Sequence, residues 1–346
     1  METNTLKQDI TIKDKVLNSY KSKPKDLFIA ELQWKFLKQS YYRGRNILLL
    51  GFTGCGKTKS AYALAESEGK EIGKDFFVFN MGATQDPRAS LIGNTHYNNT
   101  TGTFFAKSEF IRAITTKNAV ILLDELTRIN PEGANILMTV LDYNQRFLRL
   151  DEDEKSPLIK VATGVTFIAT ANVGAEFTAT RTLDRALYDR FTAQLEVPVL
   201  DIRNETLLLR QYFPTLRNDV TEAIADVACH TRDNVKSNEP SLSTIVSTRT
   251  NVNIAEMLID GFKFSEAMEV AVLPLFDSEG GADSERTQIK QKIQQYSNLD
   301  DIDDYEVEDP DVKHDENDTN IDNNKNDNDF DFENSDDELF DLGDSF

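Results

Sequence analysis

The octapeptide GFTGCGKT, residues 51–58, follows the apolar run ILLL and precedes the helix-like stretch SAYALAES. It fills the pattern G-x-x-x-x-G-K-[ST] with Gly51, Gly56, Lys57 and Thr58. A strand, a glycine-rich turn and a helix in that order leave few folds open. Backbone N–H groups can surround a dense anion only where side chains stay out of the way, and glycines permit that approach. The loop formed by Gly51, Phe52, Thr53, Gly54, Cys55, Gly56, Lys57 and Thr58 is therefore expected to cradle the phosphates of ATP. The helix starting near Lys57 turns its positive end toward them. Lys57 places a point charge on the β and γ groups, and Thr58 offers its hydroxyl to Mg²⁺.

Four further apolar runs recur along the chain: FFVFN (76–80), AVILL (119–123), VTFIAT (165–170) and QLEVPVL (194–200). They are continuously apolar and β-branched rather than alternating, as strands buried on both faces are. Strands separated by helical stretches predict an α/β fold, a parallel sheet in an αβα core over 27–200. The segment DLFIAELQWKFLKQSYY leads into it, with Leu27, Phe28, Leu32, Trp34 and Leu37 near helical spacing. After residue 200 the strand runs stop, and 201–296 reads as a small all-helical domain. There NVNIAEMLIDGFKFSEAMEVAVLPLF reads as helical up to Pro274. Residues 1–26 are polar and Lys-rich, which predicts a mobile arm.

The net charge of −21 is unevenly spread. Asp300–Phe346 holds 21 Asp or Glu against Lys313 and Lys325, whereas the other 299 residues carry 38 acidic and 36 basic groups. A nearly neutral body thus bears an acidic tail, 297–346, too poor in aliphatic residues to offset chain entropy and expected to be disordered. Its two readings are a solvated segment and a docking tail. In the second, Phe330, Phe332, Leu339, Phe340, Leu342 and Phe346 would enter a groove on a basic partner, or the acids would imitate a nucleic-acid backbone. No apolar run approaches ~18 residues, so no membrane span is expected. The start METNTLKQDITIKDK has no signal-peptide core, and Cys55 and Cys229 form no CxxC pair. A cytoplasmic protein without disulfide framework or zinc site is the expectation. His96, His230 and His314 show no metal spacing.

AVILLDEL (119–126) ends an apolar strand in two carboxylates. Acids there lie in the crevice where doubly wound sheets bind ligands. Asp124 would hold Mg²⁺, mainly through its waters, and Glu125 would polarise the attacking water. VTFIATANVG (165–174) ends similarly in Asn172, either a strand-capping turn residue or an amide for the γ-phosphate and the water.

The order GFTGCGKT, ILLDEL, TFIATAN, ALYDRF and STRT resembles the AAA+ ATPases. Within them it resembles the MoxR-like branch, near CbbQ, NorQ and GvpN-type proteins and the cobaltochelatase small subunit. DPRASLIGNTHYNNTTGTFFAKSEFIRAI is similar to the segment in which a hairpin interrupts that branch's second helix. FLRLDEDEKSPLIKV is similar to its hairpin before sensor 1. The resemblance spans about 27–296. It implies that Asn172 is sensor 1, that Arg190 is an arginine finger reaching the neighbouring subunit's nucleotide, and that Arg249 is sensor 2. Arg185 is a second finger candidate, and Arg128 a further arginine near the subunit boundary. Without the resemblance, a surface ion pair of Arg190 with Asp189 reads equally well. A finger acting in trans implies a homo-oligomeric ring, a hexamer by family analogy, in which the inserts near 90–105 and 147–161 face the channel or a partner. MoxR-like ATPases remodel or activate proteins, often with a von Willebrand factor A-type partner. The alternative is a motor or loader acting on DNA. A DNA-tracking hairpin should be basic, whereas this tip reads DEDEK.

Overall fold

The computed structural model describes residues 11–83, 86–98, 102–150, 157–172 and 184–300. The hairpin tip DEDEK and the acidic tail from 301 lie outside the described residues. Five strands form one sheet in the order β2-β5-β8-β1-β9, every neighbouring pair parallel. They are β1 (Ile47–Gly51), β2 (Phe76–Asn80), β5 (Val120–Asp124), β8 (Thr166–Asn172) and β9 (Ala193–Glu196).

Each central strand is apolar throughout because it feeds two cores. Leu48, Ile121, Leu123, Phe167 and Ala169 join one cluster, with side chains of the helices Glu109–Thr115 and Pro131–Leu141. The alternate residues Ile47, Leu49, Val120, Leu122 and Ile168 join the other, with the helices Glu31–Tyr42 and Lys57–Ser67. The two-residue pleat thus divides one apolar run between two helical layers. QLEVPVL is a strand only through Glu196. Val197 N–H still donates to Leu50 at 2.7 Å, after which Pro198, which has no N–H, ends the ladder.

Two small antiparallel hairpins interrupt this pattern, β3 (Gly93–Asn98) with β4 (Gly102–Lys107), and β6 (Phe147–Arg149) with β7 (Leu158–Lys160). The first separates the short helix Pro87–Leu91 from Glu109–Thr115, and Tyr97 at its far end is 73% exposed.

The leading helix is shorter than its sequence suggests. It starts at Glu31, where the Ala30 N–H is met by the Gln33 side chain at 3.3 Å. Leu27 and Phe28 precede it in non-helical backbone, and Leu32 faces solvent. Residues 11–26, assigned to a polar arm from sequence, are packed rather than loose. Residues 11–17 are helical, Ile12 and Ser19 are buried, and the buried Trp34 indole donates to the Ser19 carbonyl at 2.9 Å.

Among the described residues from 201 to 300 the chain is helical: Ile202–Tyr212, Asn218–Lys236, Thr248–Ile259, Phe264–Ala271 and Glu285–Gln294. Val220, Ile224, Val227 and Ala228 lie on one buried face, as their spacing predicts. They pack on Ile254, Leu258, Phe264, Met268 and Phe276, a core distinct from those of the sheet. The stretch read as helical up to Pro274 is two helices, broken after Ile259. Gly261 adopts φ +95°, a left-handed stop that a side chain would disfavour. Among the described residues, no helix is long and apolar enough to cross a membrane.

Candidate active site

The loop after β1 turns on two left-handed glycines, Gly54 at φ +74° and Gly56 at +95°. Gly56 caps the helix Lys57–Ser67. A Cβ on Gly54 would stand 2.7 Å from Cβ of Ser247, so the loop runs directly against the entrance of the helix Thr248–Ile259. The Lys57 ammonium is buried and donates to the carbonyls of Gly51 at 2.9 Å and Phe52 at 2.6 Å. Its third neighbour, the Cys55 thiol at 3.9 Å, is itself pushed toward the neutral form by burial. Burial holds Lys57 below the usual lysine range, and the charge of Arg249 adds to that. A desolvated cation resting on carbonyls is poised to exchange them for an anion.

Opposite the loop, β5 and β8 deliver the acids. Asp124 Oδ1 accepts from the hydroxyls of Thr58 at 3.1 Å and Thr170 at 2.5 Å. The hydroxyl of Thr170 also accepts the Glu125 N–H at 3.0 Å. Glu125 stands in the left-handed region, φ 56°, which turns its side chain out of the strand direction. Its carboxylate pairs with Arg128 at 3.4 Å. Gly82 leaves room for this pair, since a Cβ there would meet Glu125 Oε2 at 2.8 Å and Arg128 Cδ at 2.9 Å.

Lys57, Thr58, Asp124, Glu125, Asn172 and Arg249 line one cavity of about 210 Å³, together with Thr53, Gly54, Gly56, Lys59 and Thr170. Four separate stretches of sequence meet there. Thr58 and Asp124 are oxygen donors of the kind Mg²⁺ takes, already within contact distance of each other. A second cavity of about 150 Å³ lies across the loop and is mainly apolar. Leu27, Phe28, Val197, Leu200, Leu208 and Tyr212 line it. Lys59 spans its edge, bonded to the Asp26 carboxylate at 2.7 Å and to the Tyr212 hydroxyl. A polar cavity lined by a buried cation beside a mainly apolar one has the chemistry that a nucleotide's phosphates and base require.

The AAA domain of the dynein-related subfamily matches residues 46–191. BssE of Thauera aromatica, a candidate chaperone by name, is 32% identical over 230 residues, covering 66% of this chain and 74% of BssE. The chain belongs to the AAA+ ATPases. YojN of Bacillus subtilis is 32% identical over 161 residues, covering 45% of this chain and 49% of YojN. Among solved structures, the Thermotoga maritima RuvB Holliday junction branch migration motor aligns with a TM-score of 0.43 at 18% identity. That alignment covers 81% of this chain and 74% of RuvB.

The AAA+ core does not bring Arg190 to its own cavity; it lines neither of the two. Its partner is Asp142 at 3.3 Å rather than the adjacent Asp189, and it donates to the Ala186 carbonyl at 3.1 Å. Asn46, one residue before β1, holds the Arg190 carbonyl at 2.9 Å and the Leu141 carbonyl at 2.7 Å. The STRT segment forms a regular helix start. Ser247 caps it, accepting the Thr250 N–H at 3.2 Å.

Sequence reasoning missed three groups. Thr170 sat inside a strand read only for its apolar character, although a polar side chain two residues before Asn172 was a visible signal. Leu27 and Phe28 were read as one face of a helix. Tyr212 gave no signal, because the helix Ile202–Tyr212 comes to the loop only through the tertiary fold.

Proposed function

We propose that this AAA+ domain hydrolyses ATP at the 210 Å³ cavity within a ring and uses the cycle to remodel or activate a partner protein, as MoxR-like ATPases do. The observation that carries the reading is the division of charged groups. Lys57, Thr58, Asp124, Glu125, Asn172 and Arg249 converge in one cavity, while Arg190 stands away from it.

Lys57 and the loop N–H groups bind the triphosphate, and the apolar cavity at Leu27, Phe28 and Tyr212 receives the base. Thr58 and Asp124 hold Mg²⁺, which when bound neutralises charge on the phosphate oxygens. Glu125 takes the proton of the attacking water, after releasing Arg128. Asn172 orients that water, and Arg249 steadies the γ-phosphate. Arg190, 28% exposed and shared with Asp142, serves the cavity of the neighbouring subunit, where its planar fork stabilises charge that develops on the phosphoryl group. The name of BssE supports a protein client.

Glu125→Gln should bind ATP, fail to turn it over, and hold ring and client together for identification. Normal turnover would remove Glu125 from its role, and recovery of DNA in place of a protein would replace the client. Mixing Glu125→Gln with Arg190→Ala subunits tests the finger. Some interfaces then combine an intact Glu125 with an intact Arg190, so activity should return. Mixed rings that stay inactive would refute action in trans.

A further inference from the structure

Glu205 and Arg232 form a completely buried ion pair at 2.7 Å, 0% and 2% exposed. Taking two charges out of water is costly, and a well-packed apolar pair often serves stability as well. What the ionic pair does that an apolar one could not is bind four backbone or side-chain groups at fixed positions. Arg232 donates to the carbonyls of Leu200 at 2.8 Å and Val246 at 3.0 Å. Glu205 accepts from the Thr248 hydroxyl at 3.0 Å through one oxygen and from the Asn251 amide at 2.7 Å through the other. The Val246 N–H is held in turn by the buried Thr231 hydroxyl at 2.9 Å.

Three of the groups so held, at Val246, Thr248 and Asn251, flank Arg249 in sequence. Thr248 and Asn251 are three residues apart on one face of the helix Thr248–Ile259, and that face is turned to Glu205. Arg249 points elsewhere and lines both the phosphate cavity and the apolar one. Ser247, between the two anchored residues Val246 and Thr248, is the residue against which Gly54 of the phosphate loop packs. The first turn of this helix is therefore clamped from behind while its front carries the arginine. Arg249 itself is a long, rotamer-rich side chain, and a fixed helix start leaves only its rotamers to be ordered on meeting a phosphate.

We infer that the Glu205–Arg232 pair, acting through Thr248 and Asn251, is the positioning element that aims Arg249 at the γ-phosphate. This rests on the reading of Arg249 given above. Thr248→Val tests it: the variant removes the hydroxyl that donates to Glu205 and accepts from Arg232 at 3.5 Å, while the direct Arg232–Glu205 bond remains. Phosphate release by the assembled protein at saturating ATP should fall roughly tenfold to a hundredfold, as for other small misplacements of a catalytic group. Thr248→Ser, which retains the hydroxyl, should restore it. In an Arg249→Ala background, Thr248→Val should cost nothing further, because the residue it positions is gone. The inference is overturned if the Thr248→Val loss is undiminished in that background, or if serine does not rescue. A full-rate Arg249→Ala single variant is a different outcome: it refutes the role of Arg249 itself, and the positioning role with it.

Discussion

Replacing Thr170 by valine would remove one hydroxyl and leave shape and burial almost unchanged. That hydroxyl donates to Asp124 at 2.5 Å and accepts the Glu125 N–H at 3.0 Å. A hydrogen bond to a charged acceptor contributes about 1.5–3 kcal/mol, and a donor left without a partner costs about 1–3 kcal/mol. The two terms share one atom and do not add fully, so a loss of about 2–4 kcal/mol is expected. The turn it secures is strained, because a non-glycine residue in the left-handed region costs about 1–2 kcal/mol and Glu125 sits there at φ 56°. Without Thr170 that turn relaxes and the Glu125 carboxylate leaves its position. With about 1.4–2.8 kcal/mol of that loss falling on the transition state, kcat should drop roughly tenfold to a hundredfold, at about 1.4 kcal/mol per factor of ten. The chain provides its own probe, since Trp34 is its one tryptophan and is 0% exposed. Urea unfolding followed by Trp34 emission measures the stability loss, and phosphate release at saturating ATP measures kcat. Thr170→Ser should behave as the parent. A valine variant within about 0.5 kcal/mol of the parent and of equal kcat would refute the argument.

Gly54→Ala forces a Cβ to within 2.7 Å of Ser247 at a left-handed φ of +74°, so the loop and the helix Thr248–Ile259 must separate. Nucleotide affinity should weaken about tenfold or more by calorimetry, and an unchanged Kd would show that the close approach is immaterial. Asp26 concerns pH. The hydrogen bond from Lys59 holds its carboxyl below the ordinary 3.8. A depressed folded value gives stabilisation that is complete above the ordinary value and lost as pH falls through the folded one. The gap in urea midpoint between the parent and Asp26→Asn should therefore be constant near neutrality and close below pH 3.8. A gap that persists at lower pH would mean that the Asp26 charge is not its source.

Most of the sheet was legible because its determinants are local. Phe76–Asn80 is a strand where FFVFN was read, and the β1–loop–helix unit stands where GFTGCGKT required it. Legibility failed where a local pattern had two physical outcomes. Leu27, Phe28, Leu32, Trp34 and Leu37 are spaced like a helix face, yet Leu27 and Phe28 line a cavity before the helix begins. Lys-rich character hid the packing of residues 11–22, whose anchors are Ile12, the one buried hydrophobic residue there, and a backbone carbonyl accepting from Trp34.

The amino-acid order alone dictated the glycine-rich loop after β1, the carboxylates at the end of β5 and the separation of a sheet region from a helical one. Those follow from side-chain period, glycine freedom and charge, all properties of neighbouring residues. The partnerships belong to the tertiary structure. Asp142 rather than Asp189 meets Arg190, Thr170 ties Asp124 to Glu125, and Glu205 with Arg232 fixes the turn before Arg249. Each joins residues at least 27 apart in sequence. The bonds are short-ranged, so only the packing that brings the segments together could choose among the polar groups available to them.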